Sequence, residues 1–220
     1  MKEKSAKEGF SQPVLAKYPT DASCPVRWIT ANLDSAALAH RLGQWLQTGT
    51  NSSHHASHLL QLATVDTTGG PQLRTVVLRG AEPAAHWLRF HTDLRSPKYE
   101  EIRKQPRVAL LGYDPNPRLQ VRIDAVAAIH HKDPLARLAW ERTPASSRAS
   151  YASRRAPGEP VKDGTFAPPV TDADEVGFAH FVVVHCAIEV IDLLELDNEG
   201  HRRGTLVRTQ GDWFWQPVTP

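Results

Sequence analysis

Two short basic segments carry the residues best suited to hold an anion: Arg74-Thr75-Val76-Val77-Leu78-Arg79 and Thr92-Asp93-Leu94-Arg95-Ser96-Pro97-Lys98. The first is a β-rich run flanked by guanidinium groups, and an unpaired charge is costly to bury. Side chains alternate across a strand, so Arg74 and Arg79 point to opposite faces. Two anionic groups, or one anion and one protein carboxylate, would satisfy them; so would ordinary ion pairs near the strand ends. In the second segment Ser96 followed by Pro97 marks a helix start, with serine as N-cap and proline at the first helical position. Arg95 and Lys98 then flank the positive end of a helix dipole, where cations are disfavoured unless an anion binds among them and the free backbone amides. Glu100 and Glu101 offset part of that field, so a solvated charge cluster is the competing reading. A strand bearing Arg74 that leads through one more strand to this helix start nonetheless makes a phosphate site with a physical rationale.

The elements that must position these residues follow from periodicity. Leu38, Leu42, Trp45 and Leu46 share one face of a helix beginning near Ser35, with Asp34 or Ser35 as N-cap. Asn51 to Ser57 is a polar loop. Leu59–Val65 and Leu73–Leu78 read as strands joined by a hairpin-like connection in which Gly69 or Gly70 supplies positive φ. Trp87–His91 is a third strand, Ser96–Lys104 a short helix, and Val108–Tyr113 and Leu119–Ile129 are further strands around a proline-rich turn. Leu135, Leu138 and Ala139 have helical spacing. Residues 154–176 form a long proline-containing loop, Phe181–Leu194 an apolar strand, and Gly204–Arg208 with Trp213–Val218 a closing hairpin. Strands outnumber helices and no βαβ alternation occurs, so the fold class is mainly β (α+β), an antiparallel barrel with flanking helices.

The 220 residues suffice for one good core. The expected organisation is a mobile N-terminal arm over residues 1–25 and a single domain over 26–220. A net charge of +2 argues for neither nucleic acid nor an anionic membrane surface. Cys24 and Cys186 are too far apart in sequence to outline a metal site or disulfide framework, and Cys186, in an apolar run, reads as a small buried residue. His54, His55 and His58 lie in a polar loop and read as a surface cluster, so no metal site is expected. Met1 to Gly9 is rich in Lys and Glu with no apolar stretch behind it, which leads to an expectation of a cytoplasmic protein without a signal peptide. No G-x-G-x-x-G, P-loop or G-x-S-x-G pattern is present.

The order of Gln61–Asp66, Gly69/Gly70-Pro71, Arg74–Arg79, Phe90-His91-Thr92-Asp93, Ser96-Pro97-Lys98 and Leu119-Gln120-Val121-Arg122-Ile123 resembles the pyridoxamine 5′-phosphate oxidases, in a divergent subgroup of FMN-binding proteins. The resemblance is dense over about residues 56–130. It implies an FMN-binding split β-barrel, a homodimer with FMN at the subunit interface, and hydride transfer from a small-molecule substrate to FMN. Activity as a pyridoxamine or pyridoxine 5′-phosphate oxidase proper, or flavin binding without turnover, are the alternatives.

Carried over residue by residue, the resemblance gives Arg74 and Lys98 the FMN phosphate, helped by Thr92 and Ser96. The backbone of Thr75, Val76, Val77 and Leu78 runs along the flavin ring, and Gln120 reaches it from a neighbouring strand. Arg79 stands in place of a lysine and serves ring or substrate; His91 replaces a tyrosine; Pro97 replaces a basic residue, a lost contact that Arg95 could restore. Ala139, Thr143 and Ser147 fall where the family holds its substrate phosphate with tyrosine, arginine and serine, so only Ser147 keeps its type, with Arg142 and Arg148 near enough to substitute. His201 matches a substrate histidine and Arg203 a flavin-contacting arginine.

Overall fold

A computed structural model of the chain describes residues 27–30, 32–82, 84–161 and 174–220. Helix α1 (Ser35–Asn51) begins at Asp34, whose carboxylate accepts a hydrogen bond from the Ala37 amide at 2.7 Å, so Asp34 rather than Ser35 is the N-cap. Strands β1 (Leu59–Val65) and β2 (Pro71–Ala81) form a hairpin whose turn places Gly69 at φ 91°, a conformation that favours glycine. Then come β3 (Trp87–Asp93), α2 (Pro97–Lys104), β4 (Arg107–Asp114) and β5 (Leu119–His130). Helices α3 (Pro134–Glu141) and α4 (Ala145–Arg148), with a 3-10 turn at Ala149–Ala152, precede α5 (Asp174–His180). The chain ends in β6 (Phe181–Glu195), β7 (Arg202–Thr209) and β8 (Asp212–Val218).

The strands run in the order β3-β2-β1-β4-β5-β6-β7-β8, and β6 also pairs with β3, which closes the first six into an antiparallel barrel. Strand β6 makes this possible because it is long. Its residues Phe181–Ala187 pair with β3, Val190–Glu195 pair with β7, and its other edge pairs with β5 along most of its length. Closure leaves few open edges in the barrel wall, one way a β protein avoids edge pairing.

Inward residues of all six strands, among them Leu62, Leu78, Phe90, Leu110, Ile123 and Val184, are buried in one core. Helix α1 stoppers that core with Leu38, Leu42, Trp45 and Leu46, the face expected from its spacing. Each such leucine or phenylalanine contributes roughly 1.5–3 kcal/mol by leaving water. Cys186 is buried in this core and its thiol is pushed up to about 12 by that burial, as suits a packing residue. A second cluster on the outer face of β6 joins Ala136, Ala139 and Trp140 of α3 to Phe178, Phe181 and Val183.

Residues 1–25, expected as an arm, lie outside the described residues. So does 162–173 of the long expected loop, whose end is not loop: 174–180 is α5. That seven-residue helix is too short to show a period, and it is fixed by packing. A Cβ at Gly177 would come within 2.7 Å of the Trp140 ring. His55 and His58 are tied locally, to the Ser57 hydroxyl at 2.8 Å and the Gly49 carbonyl at 2.7 Å. Among the described residues no helix is long and apolar enough to cross a membrane.

Candidate functional site

The register of β2 creates an opening. Strand β2 pairs with β1 from Pro71 to Val77 but with β3 only from Leu78 to Ala81, with a bulge between Leu78 and Gly80. The β3-facing edge of residues 71–77 therefore has no strand partner, and Thr75, Val76 and Val77 offer backbone groups there. Arg74, Val76 and Leu78 point inward and Thr75, Val77 and Arg79 outward, so the two arginines do face opposite sides.

At the open end, Arg74 donates to Glu101 on α2 at 2.8 Å and to the Thr64 hydroxyl, and Thr64 in turn donates to Glu101 at 2.5 Å. Glu101 is nearly buried, so Arg74 is its counter-ion. Lys98, one turn before Glu101, is half-buried and has no hydrogen-bond or ion-pair partner among the described residues. Burial and the neighbouring Arg74 lower its pKa, with Glu101 and Asp93 opposing. Ser96 occupies the N-cap position of α2 but does not cap it: its hydroxyl donates to the Asp93 carbonyl at 2.8 Å and meets the Thr92 hydroxyl at 3.0 Å. The start of α2 is thus left without a side-chain acceptor beside an unneutralised lysine. That donor set suits a phosphate.

Arg95 is not available to that phosphate. Its guanidinium grips Asp93 at 2.7 and 2.9 Å and donates to the Ser153 carbonyl at 2.7 Å, which pulls it toward the α4–α5 side. The compensation expected from Arg95 for the missing basic residue at Pro97 is therefore corrected: Asp93, a carboxylate two positions away, claims it first.

On the outward side, Arg79, Arg89, His91, Arg142 and Thr143 line a cavity of about 300 Å³. His91 packs edge-on to Phe181 with ring centroids 4.7 Å apart. Burial, and then Arg79 and Arg89, push its imidazole down to about 3, so it is neutral at physiological pH. Thr143 spends its hydroxyl on the Ala139 carbonyl at 2.8 Å. Ser147 sits on α4 and is not part of this lining.

The remaining site residues lie elsewhere in the chain. Gln120 of β5, Leu194 of β6 and Arg203 of β7 are cross-strand neighbours. Arg203 donates twice to Asp192, at 2.8 and 3.1 Å, and Asp192 is buried and also 3.4 Å from Arg122. His201 is exposed, accepts from the Asp197 amide at 3.3 Å, and borders a cavity of about 550 Å³ with Arg27, Arg203 and Trp215. Between β2 and β5 stand β1 and β4, so within one chain Gln120 is three strand spacings, roughly 14 Å measured around the barrel wall, from the strand of Arg74. One chain assembles Arg74, Thr92, Ser96 and Lys98, and separately Gln120, Arg203 and His201.

Sequence reasoning missed Arg89 and the positioning carboxylates Asp93 and Asp192. An acidic residue within the mostly apolar run of β6 was the signal for Asp192, one that Glu189 and Glu195 of the same strand share.

A six-stranded closed barrel with this open corner defines the class of FMN-binding split barrels. Residues 40–131 match the family described as pyridoxamine 5′-phosphate oxidase, FMN-binding domain. A pyridoxamine 5′-phosphate oxidase-related FMN-binding protein from Nostoc punctiforme PCC 73102 is 28% identical, covers 86% of this chain and 100% of its own, and superposes with a TM-score of 0.69. PhzG from Burkholderia lata 383, solved with tetrahydrophenazine-1-carboxylic acid, is 19% identical, covers 86% of this chain and 95% of its own, and has a TM-score of 0.65, a likeness of fold alone. The pyridoxine/pyridoxamine 5′-phosphate oxidase of Bartonella henselae is 36% identical over 83 residues, 38% of this chain and 39% of that protein. The match thus spans about two fifths of the length of such relatives. Residues 40–131 are thus similar to the FMN-binding domain of the pyridoxamine 5′-phosphate oxidases, and the chain shares the FMN-binding split-barrel fold of the Nostoc protein over 86% of its length.

Proposed function

We propose that this chain binds FMN, with Lys98, Arg74, Thr92, Ser96 and the start of α2 holding the phosphate, and works as a cytoplasmic FMN-dependent oxidoreductase on a small substrate. The observation that carries the reading is Lys98: a half-buried ammonium without a partner, beside an uncapped helix start and a second cation. When bound, FMN supplies the hydride-accepting ring, and the protein's part is to place and tune it. The unpaired edge of Thr75–Val77 runs where such a ring can take backbone hydrogen bonds, with Leu78 behind it. His91 stays uncharged and offers a neutral hydrogen-bonding nitrogen from the same wall. Arg79 faces the ring's outer side, toward substrate.

The second group, Gln120, Arg203 and His201, belongs to this site only if a second copy of the chain supplies it. The outward face of β2, β1 and β4 exposes Leu73 at 71%, Leu59 at 48% and Tyr113 at 46%, an apolar surface that suits a homodimer. Ala139 and Thr143 replace phosphate-binding types, and Thr143 is engaged with backbone. That favours a substrate other than pyridoxamine 5′-phosphate over the oxidase proper.

The test is the absorption spectrum of the purified protein, before and after addition of FMN, together with its mass in solution. A yellow dimer is expected. Colourless protein that takes up no FMN overturns the reading; a flavin-loaded protein that no reductant-type substrate bleaches anaerobically leaves flavin binding and removes the oxidoreductase.

A further inference from the structure

Among the described residues the buried carboxylates are Asp93, Glu101, Asp192 and Glu195. Three of them have evident local tasks. Asp93 and Glu101 hold the arginines of the phosphate corner, and Glu195 accepts from the Trp28 and Ile29 amides at 3.0 and 3.2 Å, fastening the segment before α1. Asp192 fastens no backbone. Its partners are two guanidiniums from two other strands, Arg203 of β7 and Arg122 of β5.

Asp192 lies on the outward face of β6, between Ile191 and Leu193 of the core, yet its side chain is only 5% exposed, flanked by the two arginines. A buried carboxylate destabilises a fold unless it is paired and hydrogen-bonded. Register gives the layout around it. Gln120, Leu194 and Arg203 form one cross-strand row, and Arg122, Asp192 and Thr205 form the next. Asp192 therefore stands one row behind the residues proposed to meet the flavin. Arg203 donates to it from Nε and Nη2, one to each carboxylate oxygen, which fixes the plane of the guanidinium and leaves Nη1 without a hydrogen bond among the described residues. Asp124, 3.7 Å from Arg122, completes a chain of alternating charge, Asp124–Arg122–Asp192–Arg203, in which acids and arginines balance.

We infer that Asp192 is a positioning residue for the flavin: it aims the free edge of Arg203 at the FMN ring held by a second copy of the chain, and it cancels the charge that Arg203 would bring there. The inference rests on the proposed function, both for the bound FMN and for the dimer that brings Arg203 to it. A flavin ring gains negative charge on reduction. An unbalanced cation beside the ring therefore raises the potential of the bound cofactor, whereas a balanced one supplies directed hydrogen bonds with little net field. The competing reading is that Asp192 merely ties β5, β6 and β7 together.

The experiment is the midpoint potential of FMN bound to the purified protein, measured by equilibration with reference dyes. Asp192→Asn keeps the shape and removes the negative charge, so Arg122 and Arg203 are left with Asp124 alone and the potential should rise. Arg122→Met keeps the Arg203–Asp192 pair and removes a positive charge behind it, so the potential should fall, by a smaller amount. A carboxylate that only ties strands together gives no reason for shifts of opposite sign. Arg203→Met should weaken FMN binding by about 10-fold or more, the scale of a lost hydrogen bond to a charged group. If Asp192→Asn does not fold, the sign of the Arg122→Met shift decides. Potentials that are unchanged, or that move the same way in both variants, overturn the inference while flavin binding stands, and so does FMN affinity unchanged in Arg203→Met. Wild-type protein that takes up no FMN overturns the flavin reading and this inference with it.

Discussion

Arg74 and Arg89 are half-buried guanidiniums in adjacent strands of one barrel wall, and they are treated differently. Arg74 meets Glu101 and Thr64 in a closed triangle of hydrogen bonds, and its neighbour Arg95 is gripped by Asp93. Arg89 has no carboxylate partner among the described residues and lies near Trp87, Gly80, His91, His185 and Arg142. Glu101 and Asp93 hold Arg74 and Arg95 in place with or without an anion, which leaves Lys98 as the phosphate corner's one cation without a carboxylate partner among the described residues. The outward cavity has no carboxylate among its lining residues, and its Arg79 and Arg142 are exposed to solvent while Arg89 is half-buried.

The strongest way to break this comparison is to truncate both arginines and measure stability without ligand. Removing one member of a buried ion pair strands the other, at about 3 kcal/mol or more. Arg74→Met, which leaves Glu101 buried and unpaired, should lower the unfolding free energy by about that amount in urea. Arg89→Met removes an unmatched charge and should change it by less than about 0.5 kcal/mol, the scale of a substitution away from paired groups. Equal losses in the two variants would mean that Arg89 is a structural residue and that the contrast is empty.

A smaller effect concerns which cluster FMN reads. Lys98→Ala should weaken FMN binding by about 1.5–3 kcal/mol, as expected for a hydrogen bond to a charged group. Arg142→Ala, in the other cluster, should leave FMN binding unchanged when both are followed by quenching of flavin fluorescence. If Arg142→Ala weakens FMN as much as Lys98→Ala does, the two clusters serve one ligand.

Much of this contrast was legible in the amino-acid order, and the parts that were not have a common cause. The alternation of side chains along β2 already required Arg74 and Arg79 to part company, and they do. The strands were readable because β5 alternates apolar and polar residues over Leu119–Asp124, while β1, β4 and β6 are mostly apolar runs. What could not be read was pairing. Arg95 beside Lys98 looks like a second phosphate ligand until Asp93 is seen to fold back onto it. Glu101 could be counted as a nearby charge, but nothing in its position shows that it is buried under Arg74. Arg89 looked like an ordinary outward strand residue; only the bulge at Gly80, a feature of register between two strands, makes it part of a cavity. Gln120 falls beside Leu194 and Arg203 rather than beside Arg74, because the barrel puts two strands between them.

His91 allows the finest test, since it reports the field of the uncompensated cluster. Burial, then Arg79 and Arg89, depress its pKa from the ordinary 6.5 to about 3 in the folded chain. The unfolded chain takes up this proton as the pH falls through 6.5, whereas the folded chain refuses it until about 3. The unfolded state therefore binds more protons across that window, and this residue's contribution is intact above pH 6.5 and is lost as the pH drops toward 3. The loss is at most about 1.4 kcal/mol for each pH unit. His91→Phe, which keeps a ring against Phe181 and cannot titrate, should flatten that part of the profile, so the informative quantity is the difference between wild type and variant from pH 7 to pH 4. Raising the salt concentration should shrink the same difference, because it screens the Arg79 and Arg89 charges that help to keep His91 neutral. If salt leaves the difference untouched, burial alone depresses His91.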